Sequence, residues 1–477
     1  MQKRVQIFAP ASISELVLIR AGIESGLFGS ASENRRVLLC VSTAMTPELK
    51  PKLMETPAFS SVAHYFDSVE DYNDFIRPHH PSHWVPREED APLWERYARE
   101  KWGLGSASIR LILETMQAKQ SLALARIFHN APIDVMSDGL MAYGPTRDKL
   151  PLQLGTRIQR LIYSDLLPGI RPLLHSEFGV ATTPVPPNLI TDGFDAVARQ
   201  EQERAGEVID PFKHKPVALI LGQYLSALRI TTPEEEADLY LTMLKAAVAH
   251  GHTHIVFKPH PAAPHLQGEV LRAEAESLGV NFDEVTGPVT AETLYTLCRV
   301  SAVYGCFSTG LITAATYYQI PAWRYGTYPV LRSLSPYQNS NRVPLALIHK
   351  VLPDARLDEA TAAGRHAGPW KNQPFAVRHP EKVEKLLHAV AYTMQPEVVS
   401  HLRDDLEASE EIFKKIKPYF TTSRLKSLGL PVLETDTAAS DGAGKDAAAN
   451  DGVAKDATVI DGAANDPATG EKQVANG

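Results

Sequence analysis

Val256-Phe257-Lys258-Pro259-His260-Pro261 and, about one helix and one strand later, Tyr304-Gly305-Cys306-Phe307-Ser308-Thr309-Gly310 are the segments whose reading decides the fold. Each is an apolar run that stops abruptly at small, polar or cationic residues. That is the pattern of a buried parallel strand delivering functional groups at its C-terminal end, where ligands bind in open α/β sheets. A His-Pro followed at this distance by a Ser-Thr at a strand-to-helix turn suggests a site for a phosphorylated ligand.

Around these segments the second half alternates. Strands are expected at Val217–Leu221, His254–Phe257, Ala302–Tyr304 and Ala322–Trp323. Helices are expected at Pro233–Ala249, about Pro264–Leu278, Ala291–Cys298 and Thr309–Tyr318. The first third alternates too. It has strands at Val5–Ala9, Val37–Val41 and, more weakly, Val62–Phe66, and a helix from the capping run Ser12-Ile13-Ser14-Glu15 to about Glu24. Ile109, Ile112, Leu113, Met116, Leu122, Leu124 and Ile127 recur at helical spacings and predict a long helix over Ser106–Phe128. A strand Ile133–Met136 then ends in Ser137-Asp138-Gly139. Residues 68–103, rich in Pro, His and Trp, read as an irregular insertion. Strands separated by helices of this length imply parallel βαβ units. Two such blocks make an α/β chain of two Rossmann-like domains facing a central cleft. The expected boundaries are 1–187, a linker 188–215 that is proline-rich and then charged, 216–400, and C-terminal helices over 401–433. Helical patterns at Glu381–Met394 and Glu397–Lys415 close the folded part, and by fold analogy these terminal helices return to brace the first lobe.

The chain has 477 residues, too many for one ordinary core, and 44% apolar with 22% charged residues is a globular composition. From Glu434 to Gly477 nine acids face three lysines, so most of the net charge of −8 lies in a ten-residue-period repeat of Ala, Asp, Gly and Lys. Such a segment buries too little apolar surface to offset its ordering entropy, and 434–477 is expected to be a disordered tail without chemistry. The remainder is nearly neutral, which argues against nucleic-acid binding through a basic surface. Cys40, Cys298 and Cys306 lie far apart in apolar stretches, as reduced core thiols do. With no signal peptide and no 18-residue uncharged run, a cytoplasmic protein is expected, with at most peripheral membrane association.

Each motif admits a functional and a structural reading. His260, fixed between two prolines, is placed either to donate to a ligand phosphate, with Lys258 as a second positive charge, or to satisfy local carbonyls. Ser308 and Thr309 either simply cap the following helix or hold an anion at its N-terminus, with Gly305 and Gly310 giving the backbone close approach. Asp138-Gly139 is either a turn or the place of a general base that deprotonates an acceptor hydroxyl. Gln223 either bonds a ligand at its strand end or terminates the strand. No Walker loop, G-x-G-x-x-G fingerprint or Gly-x-Ser-x-Gly elbow occurs. The histidines of Arg77–His83 and His250–His254 lack Cys or acidic partners at ligand spacing, so no metal site is expected.

In order and approximate spacing, Ser137-Asp138-Gly139, His260-Pro261 and Ser308-Thr309 resemble the acidic-acidic-Gly, His-Pro and Ser-Ser/Ser-Thr motifs of the bacterial alpha-2,8-polysialyltransferase family. These are two-lobed, GT-B-like bacterial sialyltransferases, and the resemblance spans about residues 3 to 420. It implies an inverting glycosyltransferase that moves sialic acid from CMP-sialic acid to a glycan acceptor in surface-polysaccharide synthesis, with no metal or other cofactor in the chemical step. It places Asp138 as the base, with Ser137 and Gly139 in the acceptor-side loop. His260 faces the CMP phosphate, and Ser308 and Thr309 hold it, with Lys258, Pro261, Gly310 and Gln223 on the donor side. Ser137 stands where the family has its first acid. Two alternatives stay open: a two-lobed transferase or epimerase using another nucleotide sugar, and an inactive nucleotide- or glycan-binding relative.

Overall fold

Short runs of Val, Ile and Leu that are buried on both faces can satisfy their backbone only by pairing, and here they pair into two parallel sheets. The computed structural model describes residues 4–44, 52–260, 267–285, 287, 289–356, 375–407 and 419–432. The first lobe carries β1 (Arg4–Ala9), β2 (Asn34–Cys40), β3 (Ser68–Asp71), β4 (Ile109–Leu113), β5 (Ile133–Ser137), β6 (Ile158–Ser164) and β7 (Ala181–Val185). Their order is β3-β2-β1-β4-β5-β6-β7, and every pair is parallel. The second lobe carries β8 (Val217–Leu221), β9 (His254–Lys258), β10 (Asn281–Glu284), β11 (Val300–Gly305) and β12 (Ala322–Arg324), again all parallel, in the order β10-β9-β8-β11-β12. This is the expected pair of Rossmann-like sheets.

Both orders reverse direction once, between β1 and β4 and between β8 and β11. At such a switch point the flanking helices leave on opposite faces and open a crevice beyond the strands' C-terminal ends. The cleft residues of both lobes lie at these two points.

Three local readings are corrected. Ser106–Phe128 is not one helix but strand β4 followed by a helix Lys119–Ile127. Ile109, Leu111, Ile112 and Leu113 are all buried; a strand covered on both faces has no alternation, so its continuous apolar run mimics helical spacing. Val62–Phe66 is a single 3-10 turn, and the third strand lies just beyond it at β3. Residues 68–103 are not irregular: they hold β3 and the helices Tyr72–Ile76 and Ala91–Lys101. The linker is a 23-residue helix, Pro187–Ile209, with proline at its first position. β7 contains Pro184, which its place at the sheet edge permits.

The helix Pro187–Ile209 is a strut between the lobes. Its Gly193 lies against Val17 of the first helix (Ile13–Glu24), where an added Cβ would sit 2.8 Å from Val17 Cγ1. On the other side Thr296 Oγ1 donates to Asp195 Oδ1 at 2.8 Å and Thr293 Oγ1 to Glu201 Oε2 at 2.8 Å. A second contact joins the lobes where Thr316 Oγ1 donates to the Leu166 carbonyl at 2.9 Å. After the helix Pro380–Met394, Gln395 Nε2 donates to the Arg147 carbonyl at 2.6 Å, so the chain does return to the first lobe. The expected helix Glu397–Lys415 is formed over Arg403–Glu407; 408–418 and the repeat tail 434–477 lie outside the described residues. Among the described residues no helix is long and apolar enough to cross a membrane.

Candidate active site

At the first switch point three carboxyl groups converge from three elements. Glu15 comes from the helix after β1, Glu114 directly follows β4, and Asp138 directly follows β5. Ser12 caps the first helix by accepting from Glu15 N at 3.1 Å, and its hydroxyl reaches Asp138 Oδ2 at 3.5 Å. Glu15 is 3% exposed; its Oε2 takes the Ala11 amide at 2.6 Å, and its carboxyl is hydrogen-bonded to Glu114.

Asp138 is only partly covered, but it lies deep in the cleft. Desolvation pushes its carboxyl up to about 6, and the charge of Glu292 from the second lobe pushes the same way, against its own backbone amide and Ser12. Burial and then the charge of Asp138 raise Glu114 to about 7, opposed by the bond from Glu15. Burial, Glu114 and Asp138 hold Glu15 well above the usual carboxylate range. A carboxylate poised near neutrality at a strand end is what general-base work requires.

The loop bearing Asp138 is pinned from below. Leu174 N donates to the Ala142 carbonyl at 3.1 Å. Leu167 N donates to the Tyr143 hydroxyl at 3.0 Å. The buried Thr146 hydroxyl lies 3.1 Å from His175 Nδ1 and accepts from His175 N at 3.1 Å. Further down β5, Asp134 is fully buried and ion-paired with Arg110 at 2.9 Å and Arg160 at 2.6 Å, tying β4, β5 and β6 together. Ser137 closes β5, and Gly139 has an extended backbone, φ −125°, that any residue adopts.

The second switch point gathers the donor-side candidates at the ends of three adjacent strands, β9, β8 and β11, which span roughly 10 Å. Beyond β8, the loop 222–226 is held by the helix Pro233–Ala249. Glu236 accepts from Leu225 N at 2.9 Å, Ser226 N at 2.9 Å and Ser226 Oγ at 2.6 Å, while Gln223 N donates to the Tyr240 hydroxyl at 2.6 Å. Gln223 is 1% exposed and neither atom of its side-chain amide has a partner. Beyond β9, the His260 ring packs on Tyr224, centroids 4.2 Å apart. Pro261 lies outside the described residues. Beyond β11, Ser308 caps the helix Thr309–Thr316, accepting from Gly310 N at 3.2 Å.

Two donor-side residues also have close neighbours within the protein. Gly310 faces the protein: an added Cβ would stand 2.9 Å from Leu221 Cδ1, so glycine there lets the helix approach β8. Lys258 has carboxylates for neighbours. Burial lowers its proton affinity and the charges of Glu292 and Glu201 raise it. Burial raises Glu292 too, opposed by Thr313, whose hydroxyl donates to it at 2.9 Å, and by Lys258.

Glu15, Glu114, Glu292 and Tyr224 were not singled out from the sequence. Glu15 looks like a capping acid, Glu114 falls inside the misread helix, and Glu292 looks like an ordinary first-turn acid after the cap Thr290. Among the described residues no group of three or more His, Cys, Asp or Glu is arranged to hold a metal ion.

The profile of the alpha-2,8-polysialyltransferase (POLYST) family matches residues 6–327. No curated protein matches the sequence. Among solved structures, the UDP-GlcNAc 2-epimerase from Methanocaldococcus jannaschii has 11% identity and a TM-score of 0.47, over 82% of this chain and 99% of that one. MurG from Acinetobacter baumannii has 11% identity and a TM-score of 0.37, over 85% and 99%. Apo UGT2 from Phytolacca americana has 10% identity and a TM-score of 0.41, over 89% and 99%. With the family match reaching from β1 past β12, across both switch points, the chain belongs to the alpha-2,8-polysialyltransferase family, a family of glycosyltransferases.

Proposed function

We propose that the protein is an inverting glycosyltransferase that moves sialic acid from CMP-sialic acid to a glycan acceptor, on the cytoplasmic side of surface-polysaccharide synthesis. The observation that carries this reading is the position of Asp138, a partly accessible carboxylate raised to about 6 that faces the second lobe across the cleft.

Asp138 takes the proton of the acceptor hydroxyl as the oxygen attacks the anomeric carbon. The CMP phosphate leaves from the opposite face, which inverts the centre. His260 donates to that phosphate, and the first turn of the helix Thr309–Thr316, capped by Ser308, offers it backbone N–H groups. Lys258 offsets part of the charge that Glu292 and Glu201 place near an anionic donor. Gln223, with a free donor and a free acceptor, bonds a polar edge of the donor. The chain's own acid, base and dipoles supply this chemistry without a metal.

Calorimetry with CMP and with UDP, on wild type and His260→Ala, tests the reading. The expected result is tighter binding of CMP than UDP and a loss of about tenfold in the variant, the scale of one charge-assisted hydrogen bond. A preference for UDP assigns another donor class. Binding of neither nucleotide overturns the proposal in favour of an inactive scaffold.

A further inference from the structure

Leu221, the last residue of β8, is in register with Lys258, the last of β9, so the chain leaves the sheet at two adjacent points. The two exits are fastened together. Gly222 N donates to the Lys258 carbonyl at 2.8 Å. A Cβ added at Gly222 would stand 2.9 Å from Phe257 Cζ and 3.0 Å from Pro259 Cα, so glycine is what lets the backbones run this close. Two residues further along each path, the rings of Tyr224 and His260 meet, centroids 4.2 Å apart and planes inclined by 32°.

The two rings are not equally held. His260 is half-buried, and the prolines on either side restrict its backbone but neither of its side-chain torsions. Tyr224 is 3% exposed, in a loop clamped on both sides. Before it, Gln223 N donates to the Tyr240 hydroxyl at 2.6 Å. After it, Leu225 N and Ser226 N donate to the two carboxyl oxygens of the fully buried Glu236, each at 2.9 Å. Tyr240 in turn donates to Glu236 Oε1 at 2.7 Å. Tyr224 is therefore the fixed surface, and His260 is the side chain laid on it. A stacked face leaves the imidazole nitrogens their in-plane directions, which are the ones hydrogen bonds use. It also attracts the positive charge of an imidazolium.

We propose that Tyr224 is the positioning residue of His260: its ring face, held by the clamp of Glu236 and Tyr240, sets the imidazole at the angle from which it meets the phosphate of a nucleotide donor. The inference rests on the reading of His260 as the partner of that phosphate. Tyr224 acts through the histidine, and the ring face, not the hydroxyl, is the part that acts.

Calorimetry with CMP on Tyr224→Leu, Tyr224→Phe, His260→Ala and the double variant Tyr224→Leu/His260→Ala, beside NMR of the full chain carrying isotope-labelled histidine, tests this. The His260 C–H signals are identified by their loss in His260→Ala. They are expected to show a ring-current displacement in wild type and in Tyr224→Phe, and to lose it in Tyr224→Leu. CMP affinity is expected to fall about fivefold in Tyr224→Leu and to return to within about twofold of wild type in Tyr224→Phe. In the His260→Ala background, Tyr224→Leu is expected to change affinity by less than about 1.5-fold, because the ring it acts through is gone. If Tyr224→Leu does not fold, Tyr224→Met, which fills the volume without a ring face, is measured in its place. Unchanged affinity in Tyr224→Leu, losses that multiply in the double variant, or a Tyr224→Phe as weak as Tyr224→Leu each overturn the positioning role. Wild-type CMP affinity in His260→Ala instead removes the phosphate reading of His260, and the role of Tyr224 in binding goes with it.

Discussion

Glu292, in the helix Ala291–Leu297 of the second lobe, raises the proton affinity of Asp138 at the end of β5 in the first lobe. The acidity of the candidate base is therefore set partly by the opposite lobe, and a carboxylate in each wall makes lobe approach and protonation interdependent. Removing the Glu292 charge makes ionised Asp138 easier to form. Glu292→Gln is thus expected to move the acidic limb of the pH–kcat/KM profile to lower pH, by roughly half a unit to one unit. Lys258→Met, which removes the cation near Glu292, favours its neutral form and is expected to shift the limb the same way. An upward shift in Glu292→Gln refutes the interlobe coupling.

The same residue links function to stability. The folded protein raises Asp138 from 3.8 to about 6, so it binds that proton more tightly than the unfolded chain does. The stabilisation is fully present below the ordinary carboxylate range and is lost as pH rises through about 6. Asp138→Asn is accordingly expected to leave Tm unchanged near pH 4. At pH 8 it should raise stability by about 2 kcal/mol while activity disappears. Thermal melts at the two pH values decide it, and equal effects at both contradict the raised acidity.

The two sheets were legible in the sequence because buried parallel strands are continuous apolar runs with polar stops, as at Val217–Leu221 and His254–Lys258. The same property misled at Ile109–Leu113, where the run sits next to a true helix and its spacing fits both periods. β6 was missed because Gln159 and Arg160 interrupt it; Arg160 is there to pair with Asp134, a tertiary fact invisible in the string. Asp138, His260 and Ser308 could be named because each follows an apolar run directly. Glu15 and Glu292 could not, because a first-turn acid looks the same whether it caps a helix or lines a cleft, and Glu114 could not, because it stands within the run that reads as a helix.

Asp134, four residues before Asp138, is expected to behave as its opposite. It is fully buried and held by Arg110 and Arg160. Asp134→Ala leaves two guanidinium groups without their carboxylate and should cost about 3–5 kcal/mol in chemical denaturation. CMP affinity measured at low temperature, where the variant is still folded, should stay within a factor of about two of wild type. A selective loss of affinity at unchanged stability would make Asp134 part of the site.

Gln223 offers the sharpest separation of a binding role from a packing role. Its backbone is fixed by Tyr240 and by the Glu236 clamp on Leu225 and Ser226, so the position of the side chain does not depend on its own amide making a bond. The amide is buried without a partner, which costs about 1–3 kcal/mol in the empty protein. Replacing it by a side chain of similar size that needs no hydrogen bond, Gln223→Leu, is expected to raise stability by about 1 kcal/mol and to weaken CMP-sialic acid binding tenfold or more. Glu236→Gln, which weakens the clamp but keeps the amide, should reduce affinity about fivefold without that gain. If Gln223→Leu instead destabilises the protein and leaves affinity intact, the amide belongs to the packing of the strand end, and the donor is read by other groups.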